Sequence, residues 1–241
     1  MEIKIVNNYQ AVSEKAAAIV AAIIERKSDA VLGLATGSTP EGMYSCLVQM
    51  YREQKIDFGR VTTFNLDEYF GLAADHPQSY YCYMHQHFFS HVNVDAGRIN
   101  LPGCAEENVE QSCLEYDQKI IAAGGIDLQV LGVGTNGHIG FNEPNSQLTA
   151  QTHLVNLTSE TIEANSRFFD SPAAVPRQAV TMGMASIMHA SKIMLLATGT
   201  GKSKVVQEMC NGKINTGLPA SLLQMHRDVI LLVDAEAAAL L

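Results

Sequence analysis

The 241-residue sequence is 47% hydrophobic and 17% charged, a balance that fills a globular α/β core. Sixteen basic against 25 acidic residues give a formal charge of −9 with no basic run, which speaks against nucleic-acid and anionic-membrane partners. The longest apolar run, AAAIVAAII at 16–24, is too short to cross a bilayer, and MEIKIV lacks the charged and apolar regions of an export signal.

In chain order, EIKIV predicts a strand and YQAVSEKAAAIVAAIIERK a helix of good helix formers. AVLGLAT predicts a second strand leading into a helix over GSTPEGMYSCLVQMYREQ, and VTTFNL a third strand. SYYCYMHQHFFSHV predicts a half-buried aromatic helix, NVEQSCLEYDQKIIAAG another helix and IDLQVLGVG a fourth strand. HLVNL, KIMLLAT and VILLV read as later strands, with TSETIEANS helical between them. Alternating strands and helices with near-continuous apolar strands predict a parallel, Rossmann-like sheet covered on both faces. No repeat or linker interrupts the pattern, so residues 1–241 are expected to form one domain. Five cysteines, scattered at 46, 82, 104, 113 and 210 without a C-x-x-C, predict reduced thiols in a cytoplasmic protein.

In open parallel sheets ligands bind beyond the carboxyl ends of the strands, so the strand exits carry the functional information. The first, ATGSTPEG at 35–42, joins Gly37 to hydroxyls on Thr36, Ser38 and Thr39, with Thr39 as an N-cap and Pro40 opening the helix. A glycine turn feeding a helix start suits an anion, although a well-capped turn without ligand has the same signature. The exit ATGTGKSK at 197–204 fails as a nucleotide P-loop because Leu196 occupies the first glycine position, leaving Lys202 in a glycine-rich turn suited to a phosphate monoester. Two adjacent acids, Asp67 and Glu68, follow the third strand in NLDEY. On an extended segment they point to opposite faces, so only one acid addresses a cleft. GVGTNGHIGFNEP at 132–144 sets Asn136, His138, Asn142 and Glu143 among four glycines, with His138 able to exchange a proton near neutrality and Glu143 to orient it. Arg167 in SRFFD offers bidentate phosphate contact or an ordinary surface ion pair. His87 and His91 share a helical face at i, i+4 but lack H-E-x-x-H context and a carboxylate ligand, so no metal is expected.

These segments, GLATGSTPEGMY, VTTFNLDEYFGL, HPQSYYCYMHQHFF, GVGTNGHIGFNEP, ANSRFFD and LATGTGKSK, taken in this order, resemble the glucosamine-6-phosphate deaminase family, and the resemblance runs essentially end to end. It implies a three-layer α/β/α fold with a central, mostly parallel sheet, and conversion of glucosamine 6-phosphate and water to fructose 6-phosphate and ammonia. It implies Asp67 as the proton-shuttling base and His138, supported by Glu143, as the ring-opening group. Phosphate binding falls on Thr36, Gly37, Ser38 and Thr39 with Arg167 and Lys202. No cofactor is implied.

Two departures from longer members stand out. Asn136 replaces an aspartate, so a charged partner of the histidine is missing. His153 and Val155 stand where cations for an allosteric activator are expected, and the chain ends at Leu241. Both match the shorter, unregulated branch, for which a monomer is expected rather than a hexamer. Rival readings are a 6-phosphogluconolactonase and a non-catalytic sugar-phosphate sensor. NLDEY with GHIGFNEP favours the deaminase over the first. The retained acid/base set, with no charge or room for a DNA-binding segment, counts against the second.

Overall fold

A computed structural model describes residues 1–103, 108–166, 169 and 171–241, without the side chains of residues 164 and 172. Strand β1 (Glu2–Val6) leads to helix α1 (Tyr9–Arg26), which Asn8 caps by accepting the Ala11 N–H. Next come β2 (Val31–Leu34), α2 (Ser38–Arg52), β3 (Thr62–Asn65) and the three-residue β4 (Asp67–Tyr69). They are followed by α3 (Tyr80–His87), β5 (Ile99–Asn100), α4 (Val109–Ala122) and β6 (Leu128–Leu131). Then β7 (His153–Asn156), α5 (Ser159–Ser166), β8 (Gln178–Thr181) and α6 (Met184–Met188) lead to β9 (Lys192–Ala197), α7 (Ser203–Met209) and β10 (Val229–Asp234).

Seven strands form one parallel sheet in the order β1-β10-β9-β6-β2-β3-β5. The chain builds outward from β2 through β3 to β5, then returns to the other side of β2 with β6 and continues through β9 to β10. The reversal between β2 and β6 is a topological switch point, where a crevice opens at the carboxyl ends of the strands. Alternation along the strands feeds two cores. Val229, Leu231 and Val233 pack with α4, α6 and α7, whereas Ile230 and Leu232 pack with α1, α2 and α3. The expected three-layer α/β/α arrangement follows directly, each fully buried leucine contributing about 2 kcal/mol.

β4, β8 and β7 form a second, antiparallel sheet, with Asp67 opposite Thr181. HLVNL therefore belongs to this small sheet and not to the parallel one. Its side chains are half-buried or exposed, whereas β2 and β6 are buried throughout, the difference between strands covered on one face and on two. The shared helical face of His87 and His91 is also corrected: α3 stops at His87, and Phe88 (φ −145°) turns the chain before a separate 3-10 turn at Phe89–His91. Cys104 and Arg167 lie outside the described residues.

Candidate active site

At the exit of β2, α2 begins at Ser38 with Gly37 as N-cap, so Thr39 is not the cap and Pro40 is the third helical residue. Proline still costs nothing there, because the first four N–H groups of a helix have no intrahelical acceptor. Gly37 adopts φ 98°, ψ 175°, a region that side-chain-bearing residues avoid. Gly199, at the exit of β9, has almost the same conformation (φ 84°, ψ 158°). The two turns suited to an anion thus share one backbone solution, and neither helix start has a side-chain cap. Phenols brace the first turn. Tyr44 donates to the Ala35 carbonyl at 2.6 Å, Tyr83 to the Gly37 carbonyl at 2.7 Å and Tyr9 to the Ser38 carbonyl at 3.0 Å. Asp234, at the end of β10, braces the second by accepting the Gly199 N–H. Lys202 donates to the Val133 carbonyl at 2.8 Å, which brings its ammonium to the mouth of β6.

β4 resolves the two acids. Glu68 turns away from the cleft and accepts three backbone N–H groups, from Tyr69 and from Tyr80 and Tyr81 in the first turn of α3. It is the anchor of a helix N-terminus. Asp67 lines the cleft at 7% exposure, and no described residue donates a hydrogen bond to its carboxylate. Burial, with Glu68 adding like charge, raises its pKa to about 8.

After β6 the chain turns back on itself: Gly134 donates to the His138 carbonyl and the imidazole lies over Gly134, where a Cβ would come within 2.3 Å of the ring. His138 Nδ1 is 3.3 Å from Glu143 Oε2, close to it but not in a well-aligned hydrogen bond. Asn136 Nδ2 donates to the same oxygen at 2.8 Å, and Thr161 donates to Oε1 at 2.6 Å. Burial alone would raise the Glu143 carboxyl. The imidazole beside it, with the Thr161 and Asn136 donors, outweighs burial and holds it at about 2. Asn136 reaches Glu143 through its amide and takes the His138 backbone N–H on its oxygen at 3.2 Å, so its side-chain contacts hold the loop and the carboxylate.

These groups converge on one cleft of about 580 Å3. Thr36, Gly37, Ser38, Thr39 and Lys202 line one part, and Asp67, Asn136 and His138 another. Glu143 stands behind His138. Such an arrangement can hold an anion at one end and move protons at the other. Among the described residues, no three His, Cys, Asp or Glu side chains come together as a metal site.

A family model described as glucosamine-6-phosphate isomerases/6-phosphogluconolactonase matches residues 7–232. The chain belongs to this family. It is 55% identical over 239 residues to a glucosamine-6-phosphate deaminase of Clostridium botulinum (strain Loch Maree / Type A3), covering 99% of this chain and 98% of the relative. It is 54% identical over 241 residues to the deaminase of Halothermothrix orenii, covering both chains fully. A solved structure of a monomeric glucosamine-6-phosphate deaminase superposes with a TM-score of 0.97 at 42% identity over the whole of both chains. A 6-phosphogluconolactonase of Trypanosoma brucei shares the fold (TM-score 0.79, 19% identity, 99% of this chain and 97% of that one).

Other cleft residues were not singled out from the sequence. Tyr69 and Tyr80 supply an aromatic wall with Phe141, their rings in mutual contact, while Thr161 and Asn165 come from α5. For Tyr69 the period-2 pattern from Asp67 carried the signal; nothing local marks Thr161.

Proposed function

We propose that this chain is a glucosamine-6-phosphate deaminase, converting glucosamine 6-phosphate and water to fructose 6-phosphate and ammonia. The observation that carries the reading is the Asp67 carboxylate, without a hydrogen-bond donor among the described residues, sharing a cleft with the His138–Glu143 pair and an anion-ready helix start. Full-length identity of 54–55% to named deaminases supports it.

The phosphate is held by the Thr36–Thr39 turn and Lys202, with Arg167 assigned to it on sequence grounds. This remote clamp fixes the reacting carbons. His138 takes the anomeric hydroxyl proton and returns a proton to the ring oxygen, opening the pyranose. Ionised Glu143 steadies the imidazolium formed in between. Asp67 then removes the proton from C2 and delivers it to C1 through a cis-enolamine, leaving an iminium at C2. Water adds there and the nitrogen departs as ammonia. For the first transfer Asp67 must be ionised, which its burial and the neighbouring Glu68 oppose. An ammonium on C2 supplies the opposite charge that favours the carboxylate, so an amino sugar charges its own base. A neutral lactone brings no such charge.

The same reading takes the enzyme as a monomer acting in the cytoplasm. A monomeric relative at 42% identity supports the first, and the unpaired cysteines 46, 82, 113 and 210 are compatible with a reducing compartment. The test is to incubate purified protein with glucosamine 6-phosphate and assay fructose 6-phosphate and ammonia together. Equimolar release is expected. Absence of ammonia, with hydrolysis of 6-phosphogluconolactone in its place, would overturn the assignment.

A further inference from the structure

Helix α5 forms one wall of the cleft, yet none of its side chains takes part in the chemistry above. Thr161 is buried there, and its hydroxyl belongs to a chain with one direction. The Thr158 hydroxyl accepts the Thr161 backbone N–H at 3.2 Å, capping the helix, and donates to Thr161 Oγ1 at 3.1 Å. Thr161 Oγ1 in turn donates to Glu143 Oε1 at 2.6 Å. A hydroxyl has one proton to give. With Thr158 already donating to it, the Thr161 proton is committed to the carboxylate.

Glu143 divides its two oxygens accordingly. Oε2 takes Asn136 and faces His138 Nδ1, while Oε1 has Thr161 as its only donor among the described residues. The final torsion of a glutamate is soft, with a broad and roughly two-fold distribution. Without Thr161, the Asn136 bond to Oε2 is the one hydrogen bond left among these contacts, a single pivot about which the carboxylate can turn and shift its plane against the imidazole. The Glu143 side chain is only 9% exposed, which limits replacement of the missing donor by water.

We propose that Thr161 is a positioning residue for the ring-opening step, its hydroxyl, ordered by Thr158, setting the plane of Glu143 and through it the place of His138. The proposal deepens the deaminase reading and rests on it. It also makes α5 part of the acid/base apparatus as well as a wall, a link between residues 161 and 143 that spans two separate exits of the fold.

Thr161→Val removes the hydroxyl and keeps the branched shape. The expected result is a kcat lower by about 10- to 100-fold, the scale of one hydrogen bond to a charged group, with KM changed by less than about threefold. Thr161→Ser restores kcat to within about threefold of wild type, since it returns the donor without the methyl. A kcat for Thr161→Val within about threefold of wild type would overturn the proposal. So would a loss that Thr161→Ser fails to repair, or one accompanied by an equal rise in KM, because general damage to α5 gives those patterns. Wild-type turnover, measured alongside, tests the deaminase reading itself. The 15N resonances of the His138 ring decide the positioning claim even where no ammonia is released. A displacement in Thr161→Val that is reversed in Thr161→Ser supports it, and unmoved signals refute it.

Discussion

Between about pH 4 and pH 8 the folded chain holds a proton on Asp67 that the unfolded chain has already released, because burial and Glu68 raise the folded pKa to about 8. The unfolded state therefore binds fewer protons in that window, and the stability linked to this group is full below about pH 4 and falls as pH rises. The loss is at most roughly 6 kcal/mol. Asp67→Asn abolishes it, so the melting temperature of the variant is expected to gain on wild type from pH 5 to pH 8.5. Parallel curves would show that Asp67 is ionised without cost in the folded chain. The same variant should lose most turnover while still binding inorganic phosphate, since Lys202 and the Thr36–Thr39 turn are untouched. Glu68→Gln behaves differently. It sets an amide NH2 against an N–H that Oε1 or Oε2 now accepts, and costs about 2 kcal/mol of stability. Chemical denaturation should show that loss for Glu68 and not for Asp67. A stable, inactive Glu68→Gln beside an active Asp67→Asn would reverse the roles. The division of labour was legible as alternation along NLDEY, but the choice of Asp67 came from the family resemblance and not from the pattern itself. In the fold it depends on α3 placing its first turn over Glu68, a contact 12 and 13 residues away in sequence.

The loops between elements were the part of the sequence that spoke most clearly, and glycine explains why. Gly37 and Gly199 occupy backbone regions closed to other residues, and Gly134 is covered by the imidazole of His138. Gly134→Ala is expected to displace that ring and reduce kcat by at least about tenfold, with phosphate affinity retained. An alanine variant with wild-type kcat would mean that the ring has another place to sit. Helix boundaries were less legible. The hydroxyls and proline of GSTP suggested a cap at Thr39, yet the glycine conformation and the bracing phenols start α2 two residues earlier, at Ser38. β5 and β8 escaped notice; β5, two residues long, carries no period to read. β8 nonetheless sets β4 in place, and thereby Asp67. Thr161 shows the same limit from the other side: a threonine in a helix gives no local sign of the carboxylate it will meet, 18 residues back in the chain.

For the whole molecule, the absence of activator cations at His153 and Val155 leads to an expectation of hyperbolic saturation, unaffected by N-acetylglucosamine 6-phosphate, from a species that light scattering reports as one chain. Sigmoid kinetics relieved by that compound, or a stable oligomer, would contradict it. Layering and strand direction were legible because β2, β6, β9 and β10 are apolar over most of their length; strand order was not, since it depends on pairings between distant segments. One of those pairings governs how the molecule is made. β1, first in sequence, has a single neighbour in the sheet, β10, the last strand, in register from Glu2 with Ile230 to Val6 with Asp234. Helix α1 packs into the core that Ile230 and Leu232 help to form. A chain growing from its N-terminus must hold β1 without its strand partner until β10 emerges. Joining the ends and reopening the chain near Asn7 would place β1 directly after β10 in sequence. Such a permutant is expected to refold faster than the natural order, because the loop closed by that strand pair becomes short. Equal refolding rates in stopped-flow measurements would show that the pairing forms after the rate-limiting step.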